Sequence, residues 1–235
     1  MRRFPIALTL LAVAAPAARA QTHYRVAWWD AAAIATAGVL AVIPQAADLP
    51  HGPPPCAPCD PASLPGLDRA ALHTFSGSAG TVSTALLAGV VGFAGLASLD
   101  GASGVQRRGH AVVFAHALAW TVATADWLKV LAHRSRPVLY TAAAPAVASQ
   151  TDNRRSFPSE HASVAFAAAT AYVVMARREQ LPHRTRNAVL LYAGALGVAA
   201  LRVAAGRHFP TDVAGGAALG SSVGWLAATL HASAP

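Results

Sequence analysis

The chain has 235 residues, 18 of them Lys or Arg against 10 Asp or Glu, for a formal net charge of +8. Hydrophobic residues make up 54% and charged residues only 12%, and the mean hydropathy is +0.41. That length suits one sizeable domain, and the arginines sit at the ends of apolar runs, which argues for a membrane and against a nucleic-acid partner.

The first twenty residues have the pattern of a secretory signal peptide: Arg2 and Arg3, an apolar run from Ile6 to Ala15, then Ala18-Arg19-Ala20 as a cleavage site. An uncleaved anchor helix is the other reading, and in both the chain is exported or inserted. Residues 21–78 form an amino-terminal section. It holds an apolar helical stretch from Val26 to Ile43 with Trp28, Trp29 and Asp30 near its start, a Pro-rich loop from Pro44 to Gly66, and a short amphipathic helix from Asp68 to Phe75. The loop carries both cysteines, Cys56 and Cys59. A local disulfide, two free thiols or half a metal site with His51 all fit that pair, whereas a redox motif lacks its βαβ context.

Residues 79–235 read as one domain. Ala79 to Leu99 is long enough to cross a bilayer. Gly109 to Ala132 is a second long apolar stretch, interrupted by Asp126 and Lys129, and a loop from His133 to Phe157 follows. Ser159 to Ala176, Ala188 to Ala205 and Val213 to Leu230 are three more helical stretches, and small residues within them permit close helix packing. No repeat, heptad or strand pair is visible. The expectation is an all-α bundle of about six helices, five or six of them membrane-embedded; a soluble bundle is the alternative, since several runs are near the lower length limit. The basic turns at Gln106-Arg107-Arg108 and Arg177 to Arg186 should face the cytoplasm. Five spans from Ala79 onward then bring the loops near Arg136, Ser159 and His208 to one opposite side. Val26 to Ile43 lies along the surface or against the bundle if the leader is cleaved, and is itself a span if it is not.

The residues with the clearest chemistry lie between Leu201 and Asp212. Pro210 suits the first turn of a helix, which puts His208 just outside the helix and Asp212 within its first turn. A carboxylate there can accept from one imidazole nitrogen and leave the other free to attack, and Arg202 offers a fixed charge for a phosphate. Two further blocks are Lys129, six residues, then Arg136-Pro137, and Ser156-Phe157-Pro158-Ser159-Glu160-His161. Pro158-Ser159 reads as a helix start with Ser159 as N-cap, a ready anion site. Together the blocks resemble the signature of the type 2 phosphatidic acid phosphatase family, which shares its fold with the vanadium haloperoxidases: Lys-x6-Arg-Pro, Pro-Ser-Gly-His and Ser-Arg-x5-His-x3-Asp. The resemblance spans about Trp120 to Gly220. Glu160 stands where the family has Gly, and Leu201 where it has Ser.

The resemblance implies a phosphate cradle of Lys129, Arg136, Ser159, the Glu160 backbone N–H and Arg202. It implies His208 as the nucleophile that forms a phosphohistidine, Asp212 as its orienting carboxylate, and His161 as the acid that protonates the leaving oxygen and later the base that activates water. It implies no metal and no other cofactor. The Glu160 carboxylate should point away or pair with an arginine, Arg154 and Arg155 being nearest in sequence. Arg207 lies beside the nucleophile without an assigned role, and His133 and Arg134 fall near the mouth. The other histidines, His116 and His231 among them, show no ligand spacing and read as structural or solvated. The implied substrate is a phosphorylated lipid of the phosphatidate, phosphatidylglycerophosphate or undecaprenyl pyrophosphate class, met at the periplasmic face of a bacterial inner membrane. A soluble periplasmic acid phosphatase, a vanadate-dependent haloperoxidase and a non-catalytic membrane protein with a degenerate site are the alternatives.

Overall fold

The computed structural model describes residues 24–233; the expected leader over residues 1–20 lies outside them. Among the described residues eight α-helices follow in chain order: α1 (Trp28–Ala46), α2 (Gly66–Ala70), α3 (Gly77–Leu99), α4 (Gly104–Ala132), α5 (Ala144–Val147), α6 (Glu160–Arg178), α7 (Arg184–Ala204) and α8 (Pro210–Leu230). Among the described residues there is no strand, only an isolated bridge between Tyr24 and Ala232. The all-α bundle expected from the sequence is what forms, with α1, α3, α4, α6, α7 and α8 as its long members.

Local chemistry moves several helix ends from where hydropathy put them. α4 starts five residues before the apolar run. Ser103 and Gln106 form a capping box, with the Gln106 side chain accepting the Ser103 N–H at 2.7 Å, so the basic turn at Arg107-Arg108 becomes its first turn. α1 runs through Pro44 to Ala46. Proline has no N–H for the carbonyl four residues back, that of Leu40. The indole N–H of Trp127 on α4 donates to that carbonyl at 3.0 Å instead, which pairs the freed group and pins α1 to α4.

α6 is the axis of the bundle. Ala162, Ala165, Ala167, Ala168, Ala169 and Ala171 on it are fully buried. α8 packs against it through Gly216, Gly220 and Gly224. A Cβ at Gly216 or Gly224 would stand 2.5 Å from the carbonyl oxygen of Ser159 or Ala167, and one at Gly220 would overlap that of Ser163. Only glycine lets the two backbones approach this closely.

Many large apolar side chains face outward, although Tyr172, Phe209, Met175 and Leu191 are buried. Trp28, Leu96, Leu131 and Leu230, on or just beyond four different helices, are 72% to 83% exposed. Exposed apolar surface on this scale marks a surface that meets lipid or another apolar partner. Among the described residues five segments are long and apolar enough to cross a membrane: α1, α3, the stretch Gly104–Tyr140 that begins with α4, α7 and α8. α6, expected as a span, is not among them. Its alanines face other helices, and its ends carry Glu160, Arg177 and Arg178. α1 belongs to the set instead. Its Asp30 meets His231 beyond the end of α8, while Gln45 reaches the cavity at the other end of the bundle. α1 therefore runs the length of the bundle rather than lying across its surface.

Cys56 and Cys59 are joined as a disulfide. It packs with Leu139 and Ala144 in a small apolar cluster, so the Pro-rich loop covers the segment that follows Arg136.

Candidate active site

Six helix ends meet at one end of the bundle: the carboxyl ends of α1, α4 and α7 and the amino ends of α3, α6 and α8. They surround a cavity of about 640 Å3 lined by Lys129, Arg136, Glu160, His161, Arg202 and His208. The other two residues singled out from the sequence, Ser159 and Asp212, are fully buried and do not line it.

His208 is placed by the way α7 stops. Gly206 follows the helix with φ of +64°. Its N–H bonds the Val203 carbonyl at 2.8 Å, and the Arg207 N–H bonds that of Arg202 at 3.2 Å. This is a Schellman closure, which needs a left-handed residue. A side chain there would also meet the Thr74 carbonyl oxygen at 2.6 Å. The chain then reverses into α8, leaving Arg207 and His208 at the cavity. His208 Nδ1 lies 2.8 Å from the Ser156 carbonyl oxygen. A carbonyl only accepts, so Nδ1 carries the hydrogen and Nε2 keeps its lone pair. Burial drives the ring down to about 4; Asp212 opposes that shift, while Arg136 and Arg202 add to it. The imidazole is therefore neutral at pH 7.

Asp212 acts on His208 from a step away. Its Oδ2 is 3.7 Å from Nδ1, beyond hydrogen-bond reach. That oxygen accepts from Ser156 Oγ at 2.5 Å and from the Phe209 N–H at 2.9 Å. Asp212 thus holds the residue whose carbonyl orients the imidazole, and it caps α8 as its third residue. Oδ1 accepts from Arg134 at 2.5 Å. Arg134 does not line the mouth, contrary to its expected place: it bridges Asp212 and Asp68, the latter at 2.6 Å, below the cavity.

At the start of α6 the first intrahelical bond runs from the Ser163 N–H to the Ser159 carbonyl at 2.9 Å. The N–H groups of Glu160, His161 and Ala162 have no earlier turn to bond, the usual condition of a helix start and a ready place for an anion. Ser159 stands at the N-cap position, but its hydroxyl does not cap the helix; Oγ is buried with no hydrogen-bond partner among the described residues. His161 Nε2 lies 3.1 Å from Thr84 Oγ1 on α3. Thr84 donates to the Gly80 carbonyl at 3.3 Å, so its oxygen accepts from the imidazole.

The cations differ in how free they are. Arg136 is tied to Asp152 through its carboxylate and its carbonyl, both at 2.8 Å. Lys129 is held by Asp126 at 2.7 Å and by Glu160. Neither Arg202 nor Arg207 forms an ion pair among the described residues, and both line the cavity. The expected partner of Glu160 was an arginine close in sequence. Arg154 and Arg155 instead hold backbone carbonyls of the amino-terminal section, Gly52 for the first and Leu49 and Pro44 for the second.

Residues 110–234, more than half of the chain, match the family model described as the PAP2 superfamily. The chain belongs to the PAP2 superfamily. No curated protein and no solved structure matches it at a significant level.

PAP2 membership implies phosphatase chemistry, and this PAP2 chain departs from its signature in two places with different consequences. Leu201 is half-buried on α7 and does not line the cavity, so the missing Ser leaves the wall unchanged. Glu160 lies on the wall and neutralises a signature cation. Several residues at this cavity were given no role from the sequence: Thr84, Asp126 and Asp152 line it, and Gly206 and Ser156 place His208. A glycine just past a helix end was a readable signal for Gly206. Nothing in the sequence marks Thr84, which is 77 residues from its partner His161.

Proposed function

We propose that this protein hydrolyses the phosphate ester or pyrophosphate of a membrane lipid through a phosphohistidine on His208. The observation that carries the reading is the His208 imidazole, which is neutral, holds its Nδ1–H on the Ser156 carbonyl and keeps Nε2 unprotonated at a cation-rich cavity. A nucleophile must offer a lone pair at working pH, and this ring does.

In the first step Nε2 of His208 attacks phosphorus and the bond to the leaving oxygen breaks. His161 enters this step with both ring nitrogens protonated, against the lowering that burial and Arg202 impose, and delivers one proton to that oxygen, which leaves the ring neutral. In the second step water, deprotonated by His161, attacks the phosphohistidine; the P–N bond breaks and inorganic phosphate leaves. Arg202, Arg207 and Arg136, with the N–H groups at the start of α6, balance the charge on the phosphoryl oxygens. Asp212, through Ser156, keeps the ring from turning as it becomes positive.

The outward-facing apolar side chains support a lipid substrate. With α1, α3, α4, α7 and α8 in a bilayer, the cavity lies at one end of the bundle, where a lipid can present its head group while its tail stays in the membrane. The basic turns at Arg107-Arg108 and Arg177 to Arg186 lie at the other end, which favours a cavity facing away from the cytoplasm, the periplasmic side of a bacterial inner membrane. The test is phosphate release by the detergent-purified protein from phosphatidate, a polyprenyl pyrophosphate and a soluble aryl phosphate. We expect the lipids to be turned over with a kcat/KM at least tenfold above that of the aryl ester. His208→Ala should remove turnover and the acid-labile phosphoenzyme while unfolding as cooperatively as the wild type. Equal rates on the aryl ester would overturn the lipid reading, and normal turnover by His208→Ala would overturn the nucleophile.

A further inference from the structure

α8 carries Asp212 in its first turn and ends at Leu230, about 27 Å further on at 1.5 Å per residue. His231 follows directly, at the end of the bundle away from the phosphate cavity. There Asp30 of α1 meets two imidazoles. Its Oδ1 lies 3.2 Å from Nε2 of His116 on α4 and 3.2 Å from Nε2 of His231. The three ligand atoms lie within 4.8 Å of one another; Asp30 and His116 are buried and His231 is partly so.

We propose that Asp30, His116 and His231 bind a divalent transition-metal ion of the zinc class. The donor set is two imidazole nitrogens and a carboxylate oxygen, which suits zinc. Bonds of about 2.0–2.1 Å to a tetrahedral ion set ligand atoms about 3.3–3.4 Å apart, close to the two separations found here. The tautomer of His231 points the same way. Its Nδ1 lies 2.8 Å from the Ala227 carbonyl oxygen and must donate to it. The neutral ring then turns the Nε2 lone pair toward an oxygen that also carries lone pairs. A cation between them converts that repulsion into two bonds, and a ligating imidazole usually donates its other N–H to such a carbonyl. Asp30 Oδ2 is fixed by the Ala27 N–H at 2.7 Å, leaving Oδ1 to face both rings. A protonated His231 is the competing arrangement. His110 also sets both ring nitrogens against acceptors, the Ser98 carbonyl at 2.6 Å and Glu179 at 3.0 Å, but as a single imidazole. Here two rings with centroids 4.4 Å apart converge on one oxygen.

The ion would staple α1, α4 and the end of α8 together, beside the Arg25 N–H to His231 carbonyl bond of 2.8 Å, and leave a fourth position for water. This inference does not depend on the phosphatase reading.

Zinc titration of the full-length, untagged protein in detergent tests it by calorimetry. We expect one Zn2+ per chain. At a hundredfold excess over Kd the thermal midpoint should rise by about 5–10 °C. His116→Gln and His231→Gln should each weaken binding by about a hundredfold, with unfolding still cooperative. Cobalt bound to the wild type keeps the test decisive if a variant does not fold: a four-coordinate site gives strong visible absorption. No saturable zinc binding, unchanged affinity in both folded variants, or only the weak spectrum of six-coordinate cobalt would overturn the proposal.

Discussion

Lys129 and Glu160 form an ion pair across 31 residues of sequence, and that pair sets the charge of the cavity wall. The family signature supplies the lysine as a phosphate ligand, yet here Glu160 and Asp126 both hold it. In the proposed site the charge left to meet an anion is then that of Arg202, Arg207 and Arg136, which line the cavity. An acidic residue at the start of α6 is also favourable to the helix itself.

Glu160→Gln should therefore strengthen phosphate binding. The change removes one negative charge from the wall and leaves Lys129 with Asp126 alone. At a separation near 6 Å and an effective dielectric near 20 the interaction is about 3 kcal/mol before screening. About half of that gives roughly a tenfold lower KM for a phosphate monoester, with kcat changed by less than about threefold. A hundredfold fall in kcat would mean that the carboxylate takes part in the reaction.

His208 should titrate far below an ordinary histidine. Its value in the folded protein is about 4, against 6.5 for an ordinary histidine. The unfolded chain takes up the proton first as pH falls. The stability tied to the neutral ring is therefore complete above about 6.5 and lost between about 6.5 and 4. Carbon-13 NMR of the labelled imidazole, with His208→Asn to assign the signal, should give a midpoint near 4. A midpoint near 6.5 would mean that water reaches the ring.

Arg134→Gln should destabilise the protein by about 3–5 kcal/mol, because Asp68 and Asp212 would remain buried without their shared cation. Arg134→Lys keeps the charge but not the two-armed reach, and should recover only part of the loss. Thermal unfolding in detergent measures both. A change under about 1 kcal/mol for Arg134→Gln would show that the bridge carries little weight.

Thr84→Val removes the acceptor from His161 Nε2 without changing the shape of the wall. If Thr84 holds the general acid, kcat should fall by about tenfold with KM unchanged, and Thr84→Ser should restore it. A rise in KM alone would mean that Thr84 touches the substrate instead.

Gly220→Ala should cost about 1–3 kcal/mol by forcing α6 and α8 apart. Gly38→Ala is the control. Nothing lies within 4 Å of its Cβ, so helix propensity alone should make that variant slightly more stable. Equal effects at both positions would remove the argument for backbone contact.

The family and the helical bundle were legible because both depend on local or regularly spaced signals. Three blocks at fixed spacing carry the PAP2 signature, and long apolar runs rich in Ala and Gly announce packed helices. Even the approach of α8 to α6 leaves a trace, in glycines four residues apart at Gly216, Gly220 and Gly224. The ends of the helices were less legible. Caps such as Ser103 with Gln106 and the Trp127 bond that accommodates Pro44 override hydropathy within one turn.

The sequence by itself determined which groups are available for chemistry: two imidazoles, a carboxylate and several arginines, each beside a helix end. The tertiary structure decided how they are wired. Burial determines the protonation of His208, and burial is a property of the packed bundle. The Ser156 carbonyl orients that ring, and a carbonyl has no residue signature. Lys129 pairs with Glu160, Arg134 with Asp68 and Asp212, and Asp30 with His116 and His231 only because antiparallel helices bring distant turns to the same level. Charge pairing acts over a few ångströms in space, while reading along the chain sees only neighbours in sequence.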